Sequence, residues 1–147
     1  MTVQKPVILL AEDDDGHASL VQRNLKRVGV VNDIVHVHDG QETLDYIHGQ
    51  GKFSARPDRQ PLLLMLDINM PRINGEEVLR QVKQNAITRA LPVIMLTTAD
   101  DSQQIQRCYA LGCSVYMTKP VLFDAFAEAM KRLSLFLEII KVPAMHA

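Results

Sequence analysis

Five consecutive apolar residues, Leu62–Leu66, stand between Pro61 and Asp67. A run this short, apolar at every position and stopped at both ends, suits a strand covered on both faces, and such strands occupy the middle of parallel sheets. Four similar runs, Val7–Ala11, Ile34–His38, Val93–Leu96 and Ser114–Met117, supply its neighbours. Apolar residues at helical spacing fill the intervals. Val21, Leu25 and Val28 stop at Gly29; Val78, Leu79 and Val82 follow Gly75; Ile105 and Tyr109 precede Gly112; and Phe123 opens the last and longest helix. This alternation predicts one α/β domain: a five-stranded parallel sheet, doubly wound, with helices on both faces. The polar stretch from His48 to Pro61 reads as an exposed loop before the central strand.

With 147 residues, 47% of them hydrophobic and 22% charged, the chain has the size and apolar content for one ordinary core. Its 16 basic residues against 17 acidic ones leave a net charge of −1, which excludes a bulk electrostatic drive toward nucleic acid or an anionic membrane. Cys108 and Cys113 are too few for a disulfide framework and read as reduced thiols. The first apolar run breaks at once into Glu12, Asp13, Asp14 and Asp15. Neither a signal peptide nor a membrane span can be built from it, so cytoplasm is the expected location. The expected organisation is a tail over 1–6, a domain over 7–140 and a tail over 141–147.

Open parallel sheets bind ligands beyond the carboxyl ends of their strands. Glu12 and Asp13 follow the first strand, Asp67 the third, Thr97 and Thr98 the fourth, and Lys119 and Pro120 the fifth. Two carboxylates about 4 Å apart repel by roughly 4 kcal/mol at an effective dielectric of about 20, so positive charge must accompany them. Lys119 offers one charge, and Mg²⁺, which takes one or two carboxylates and keeps several waters, offers two. With the Thr97 hydroxyl as a hydrogen-bond donor, this set forms an acceptor site for a phosphoryl group, and Asp67 is the candidate nucleophile. Other polar residues take plainer roles. Asp14 or Asp15 suits a helix cap, and Thr98 an ordinary strand position. His36 and His38, two ligands without a third, read as a solvated strand face rather than a zinc site.

Four motifs combine these residues: Leu9-Leu10-Ala11-Glu12-Asp13-Asp14, Leu64-Met65-Leu66-Asp67-Ile68-Asn69-Met70-Pro71 with Gly75, Val93-Ile94-Met95-Leu96-Thr97-Thr98-Ala99, and Val115-Tyr116-Met117-Thr118-Lys119-Pro120. In this order they resemble the receiver domain of bacterial two-component response regulators, over about Val7 to Leu137. The resemblance implies a flavodoxin-like fold and a phosphoacceptor at Asp67, served by a sensor histidine kinase through phosphohistidine. It implies that Glu12 and Asp13 bind Mg²⁺, with Asp67 and the main-chain carbonyl of Asn69 as further ligands. Thr97 resembles the switch hydroxyl, Tyr116 the aromatic that moves with it, and Lys119 the lysine that contacts phosphate, with a cis bond to Pro120. One departure is Glu12, where Asp is the commoner first acid. Chemistry in such a domain is limited to its own phosphorylation and slow dephosphorylation, so a signalling switch is expected rather than a metabolic enzyme.

The final helix adds a second expectation. Leu122, Phe126, Met130, Leu133, Leu137 and Ile140 form one apolar stripe, and Phe123, Ala127, Leu135, Phe136 and Ile139 widen it beyond a single core-facing band. Phe126, Met130, Leu133 and Leu137 are therefore the candidate dimer contacts, on the face made by the fourth helix, fifth strand and fifth helix. No residues are left after that helix for an output module, so a stand-alone regulator acting by protein contact is expected. The loop Gly49–Pro61, Leu96–Thr98 and the Val142-Pro143 ending resemble single-domain regulators paired with bacterial phytochrome kinases, although the tryptophan common in their final helix is missing. Three rival classes fit less well, and one of them, a pseudo-receiver acting only as a scaffold, does not explain why every acceptor-site residue is present. An aspartyl-phosphate phosphatase wants a second Asp where Asn69 stands, and a flavin or nucleotide carrier wants a glycine-rich loop where the acids lie.

Overall fold

Every residue of the central run is buried, and it extends one residue further than expected, to Asp67. The computed structural model describes residues 5–56, 60–98, 101–133 and 139. Strands β1 (Val7–Ala11), β2 (Ile34–Val37), β3 (Leu62–Asp67), β4 (Val93–Thr97) and β5 (Val115–Thr118) form one parallel sheet in the order β2-β1-β3-β4-β5. Helices α1 (Asp15–Arg27), α2 (Gly40–His48), α3 (Gly75–Gln84), α4 (Ser102–Leu111) and α5 (Phe123–Arg132) alternate with them. This is the doubly wound architecture that the alternation predicts, with the flavodoxin-like order that the resemblance implies.

Side chains of β3 part to opposite faces, as the two-residue strand period requires. Leu62, Leu64 and Leu66 pack with Leu44 of α2, Val78, Leu79 and Val82 of α3, and Cys108 of α4. Leu63 and Met65 pack with Ala18, Val21 and Leu25 of α1 and Phe126, Ala129 and Met130 of α5. Burial on both sides removes the strand from water and explains its unbroken apolar sequence.

Local chemistry sets where the helices begin. Asp14 caps α1 by accepting from the His17 N–H at 2.9 Å, Asp39 caps α2 through Glu42 at 2.8 Å, and Asn74 caps α3 through Glu77 at 2.9 Å. Asp14 is thus the capping acid, and Asp15 is the first residue of α1. Helix α2 has few apolar positions, yet it buries Leu44, Tyr46 and Ile47. The expected long loop is partly structured. Gly51–Phe53 makes a single 3₁₀ turn, Phe53 meets Tyr46 edge-on at 5.0 Å, and Arg56 lies 4.8 Å over the Tyr46 ring while donating to the Ile47 carbonyl.

The fold corrects the reading of the last helix. Phe126 and Met130, expected at a dimer face, are fully buried in the chain's own core against α1 and the sheet. The helix faces both its sheet and α1, so it needs a wider apolar band than a helix packed on one layer. Leu133 is partly buried against the same cluster, Leu122 is 63% exposed, and Leu137 lies outside the described residues, as does most of the expected extension of the helix. Of the expected tails, only Lys5 and Pro6 are described. Cys108 and Cys113 are buried and unbridged, and burial pushes their thiols up to about 11 and about 12, away from thiolate reactivity. No helix among the described residues is long and apolar enough to cross a membrane.

Candidate functional site

The strand ladder itself positions the acidic cluster. Asp67 ends β3 opposite Leu96, and Thr97 ends β4 opposite Thr118. Both are therefore held by sheet pairing rather than by the loops that follow. Glu12 leaves β1 with its N–H bonded to the Val37 carbonyl at 3.0 Å, and the Lys119 N–H donates to the Thr97 carbonyl at 2.7 Å. The cis Lys119–Pro120 bond follows β5. Helix α3 closes on the end of β3, where the Gly75 N–H donates to the Ile68 carbonyl at 2.8 Å.

These elements bring Glu12, Asp13 and Asp67 together, with one carboxylate oxygen from each lying within 4.8 Å of the others. Glu12 and Asp67 are buried, and Asp13 is exposed at the mouth. The Lys119 ammonium donates to Glu12, lies 3.7 Å from Asp67 and donates to His17 Nδ1 at 3.2 Å, while only 7% of its side chain is exposed. Thr97 is completely buried beside this group, and Asn69 is exposed just beyond it. The structure thus gathers the residues expected at the strand ends. His17 is an addition, and its signal in the sequence was weak: a first-turn position of α1 that leans back over the sheet edge.

One buried ammonium does not balance three carboxylates. Burial pushes the Asp67 carboxyl up to about 7, aided by the hydrogen bond and charge of Glu12 and opposed by Lys119 and the Asn69 N–H. Burial also raises Glu12, but its bonds to Lys119, Asp67 and the Asp14 N–H outweigh that effect and hold it below the ordinary carboxylate range. Glu12 and Asp67 are therefore coupled, and burial together with Glu12 favours a proton on Asp67 rather than on Glu12. A hard divalent ion would replace this proton. Three carboxylates, of which Asp13 is open to water, with the Asn69 main chain adjacent, form the oxygen donor set that Mg²⁺ or Mn²⁺ takes.

Tyr116 stands apart from the carboxylates. It is half-buried, its hydroxyl donates to Gln104 Oε1 at 3.2 Å, and its main-chain N–H donates to the Tyr109 hydroxyl at 3.2 Å. Two tyrosines thus tie β5 to α4. Thr98 is exposed and lines a crevice of about 250 Å³ with His17, Leu20, Val21, Lys119, Pro120 and Val121.

Comparison with known proteins agrees with this geometry. A model of the family described as "Response regulator receiver domain" matches residues 8–131. Response regulator Rcp1 of Synechocystis sp. is 34% identical over 139 residues, covering 94% of this chain and 93% of its own length. Among solved structures, the bacteriophytochrome response regulator AtBRR superposes with a TM-score of 0.85 at 33% identity, over 96% of this chain and 100% of that one. The Mn(2+)-bound form of Rcp1 superposes with a TM-score of 0.74 at 34% identity, over 95% of this chain and 99% of that one.

Proposed function

Because the chain belongs to the response regulator receiver domain family, we propose that it is a phosphorylation switch in which Asp67 accepts a phosphoryl group from the phosphohistidine of a bacteriophytochrome-class sensor kinase. The observation that carries this reading is the buried Asp67 carboxyl at the end of a central strand, facing Lys119 and within metal-sharing distance of Glu12 and Asp13. The likeness to the bacteriophytochrome response regulator AtBRR supports the choice of kinase class. The receiver unit spans 7–140 between tails at 1–6 and 141–147, and it works in the cytoplasm.

In this reading an Asp67 oxygen attacks phosphorus, the phosphorus–nitrogen bond breaks, and the imidazole nitrogen leaves with the electron pair. Glu12, Asp13, Asp67 and the Asn69 carbonyl would hold magnesium, which would supply positive charge for the transferring oxygens. Lys119, already poised between Glu12 and Asp67, turns its ammonium to a phosphoryl oxygen. The Thr97 hydroxyl hydrogen-bonds another. Tyr116 follows Thr97 and alters its tie to Gln104, shifting the face of α4, β5 and α5 between two populations. Water later cleaves the acyl phosphate slowly and releases inorganic phosphate.

Output is a protein contact on that face, including a homodimer. Tyr109, at 44% exposure, and Leu122 offer the open apolar surface there, in place of the buried Phe126 and Met130. Leu133 and Leu137 remain the candidate contacts of the dimer beyond them.

Phosphotransfer tests the reading. An autophosphorylated phytochrome-class kinase should pass its label to this chain within minutes in Mg²⁺, and chelation with EDTA should abolish the transfer. Transfer undiminished in EDTA contradicts the assigned acidic site, and no transfer from any such kinase contradicts the partner class.

A further inference from the structure

A second cluster lies on the edge of the sheet, and it differs in chemistry from the acidic pocket. His36 on β2 and His38 just beyond it point to the same side, two residues apart along the strand, with ring centroids 4.2 Å apart. The first residue of α1, Asp15, completes the set: its carboxylate lies 3.2 Å from His38 Nε2. One ligand atom from each of Asp15, His36 and His38 lies within 4.8 Å of the others. The third ligand that the sequence did not place beside the two histidines is thus supplied by another element.

A second observation concerns the ring of His36. Its Nε2 lies 2.7 Å from the main-chain carbonyl of Glu12. A carbonyl can only accept, so Nε2 donates this bond and Nδ1 is the nitrogen left for a metal. Metal-binding histidines are oriented in this manner, with the second ring nitrogen donating to a carbonyl or carboxylate. Beyond His38 stands Glu42, 3.9 Å from Nδ1 and paired with Lys52 at 3.2 Å.

We propose that Asp15, His36 and His38 form a transition-metal site, of zinc type, with a coordination position left open to water. Two imidazoles and one carboxylate match the three protein ligands of open zinc sites, and nitrogen donors favour zinc over magnesium. Zinc bonds of about 2.0–2.1 Å place tetrahedral ligand atoms about 3.4 Å apart. Asp15 and His38, with side chains 84% and 51% exposed, have the freedom to close that gap. The two sites would select different ions: oxygen-rich Glu12, Asp13 and Asp67 take magnesium, and the histidine pair takes zinc. They meet at Glu12, whose carbonyl accepts from His36 while its carboxylate accepts from Lys119.

Zinc titration against a chromophoric chelator, in saturating Mg²⁺ and on protein without added histidines, tests the proposal. The wild type should bind one zinc ion per chain. His38→Ala and Asp15→Asn, both at exposed positions, should each weaken binding by about tenfold or more. Asp13→Asn should leave it unchanged. Absence of saturable zinc binding overturns the proposal, as does binding that survives both His38→Ala and Asp15→Asn, or that is lost in Asp13→Asn alone.

Discussion

Asp67→Asn should make the metal-free protein more stable at pH 8, by about 2 kcal/mol, and change it little below pH 4. The folded-state pKa of Asp67 is raised to about 7, against about 3.9 for an unfolded Asp. Between these values the folded chain holds a proton that the unfolded chain has lost, so stability falls as pH rises through this window, and the loss is complete above it. The whole shift would correspond to roughly 4 kcal/mol at 1.36 kcal/mol per pH unit. Glu12 returns part of it: its lowered value contributes stability that is present at neutral pH and lost only as pH falls through its folded pKa. An amide has the shape of the carboxyl and no charge, so the variant should escape the alkaline loss while Lys119 keeps its bond to Glu12. Urea unfolding at pH 4, 6 and 8 measures this, and excess Mg²⁺ should restore the wild type more than the variant. Equal stability of the two proteins at pH 8 without metal would contradict a strained carboxylate pair.

The second large effect is expected at Gly75. A Cβ there would lie 2.2 Å from the Asp67 carbonyl oxygen and 2.7 Å from the Ile68 Cα. Both obstacles are main chain, so neither can rotate aside. Gly75→Ala must either lift α3 from the sheet, losing the Gly75–Ile68 hydrogen bond, or move Asp67 itself. Overpacking of this kind costs about 3 kcal/mol, and it should weaken Mg²⁺ binding as well. A lowered urea midpoint together with a weakened magnesium isotherm is the expected result. Wild-type values for both would mean that the approach of α3 is not what fixes the phosphoacceptor.

Much of the site was legible because its residues end strands. Leu62–Leu66 identified the central strand by being apolar on both faces, and the residues after such runs gather at one edge in any sheet of this class. What escaped detection depended on contacts between elements. Helix α2 presents only a short buried stripe, so its capping by Asp39 and the packing of Tyr46 on Phe53 mattered more than periodicity. The breadth of the apolar face on α5 suggested a partner chain, whereas Phe126 and Met130 are covered by α1 and the sheet. Asp15 joins His36 and His38 only because β2 pairs alongside β1, which no local pattern reveals.

The central claim is that Asp67 is the phosphoryl acceptor, and intact-mass measurement after incubation with a small-molecule phosphodonor and Mg²⁺ tests it most directly. Wild-type chain should gain one phosphoryl mass and Asp67→Asn none. Equal labelling of the two proteins would contradict the account.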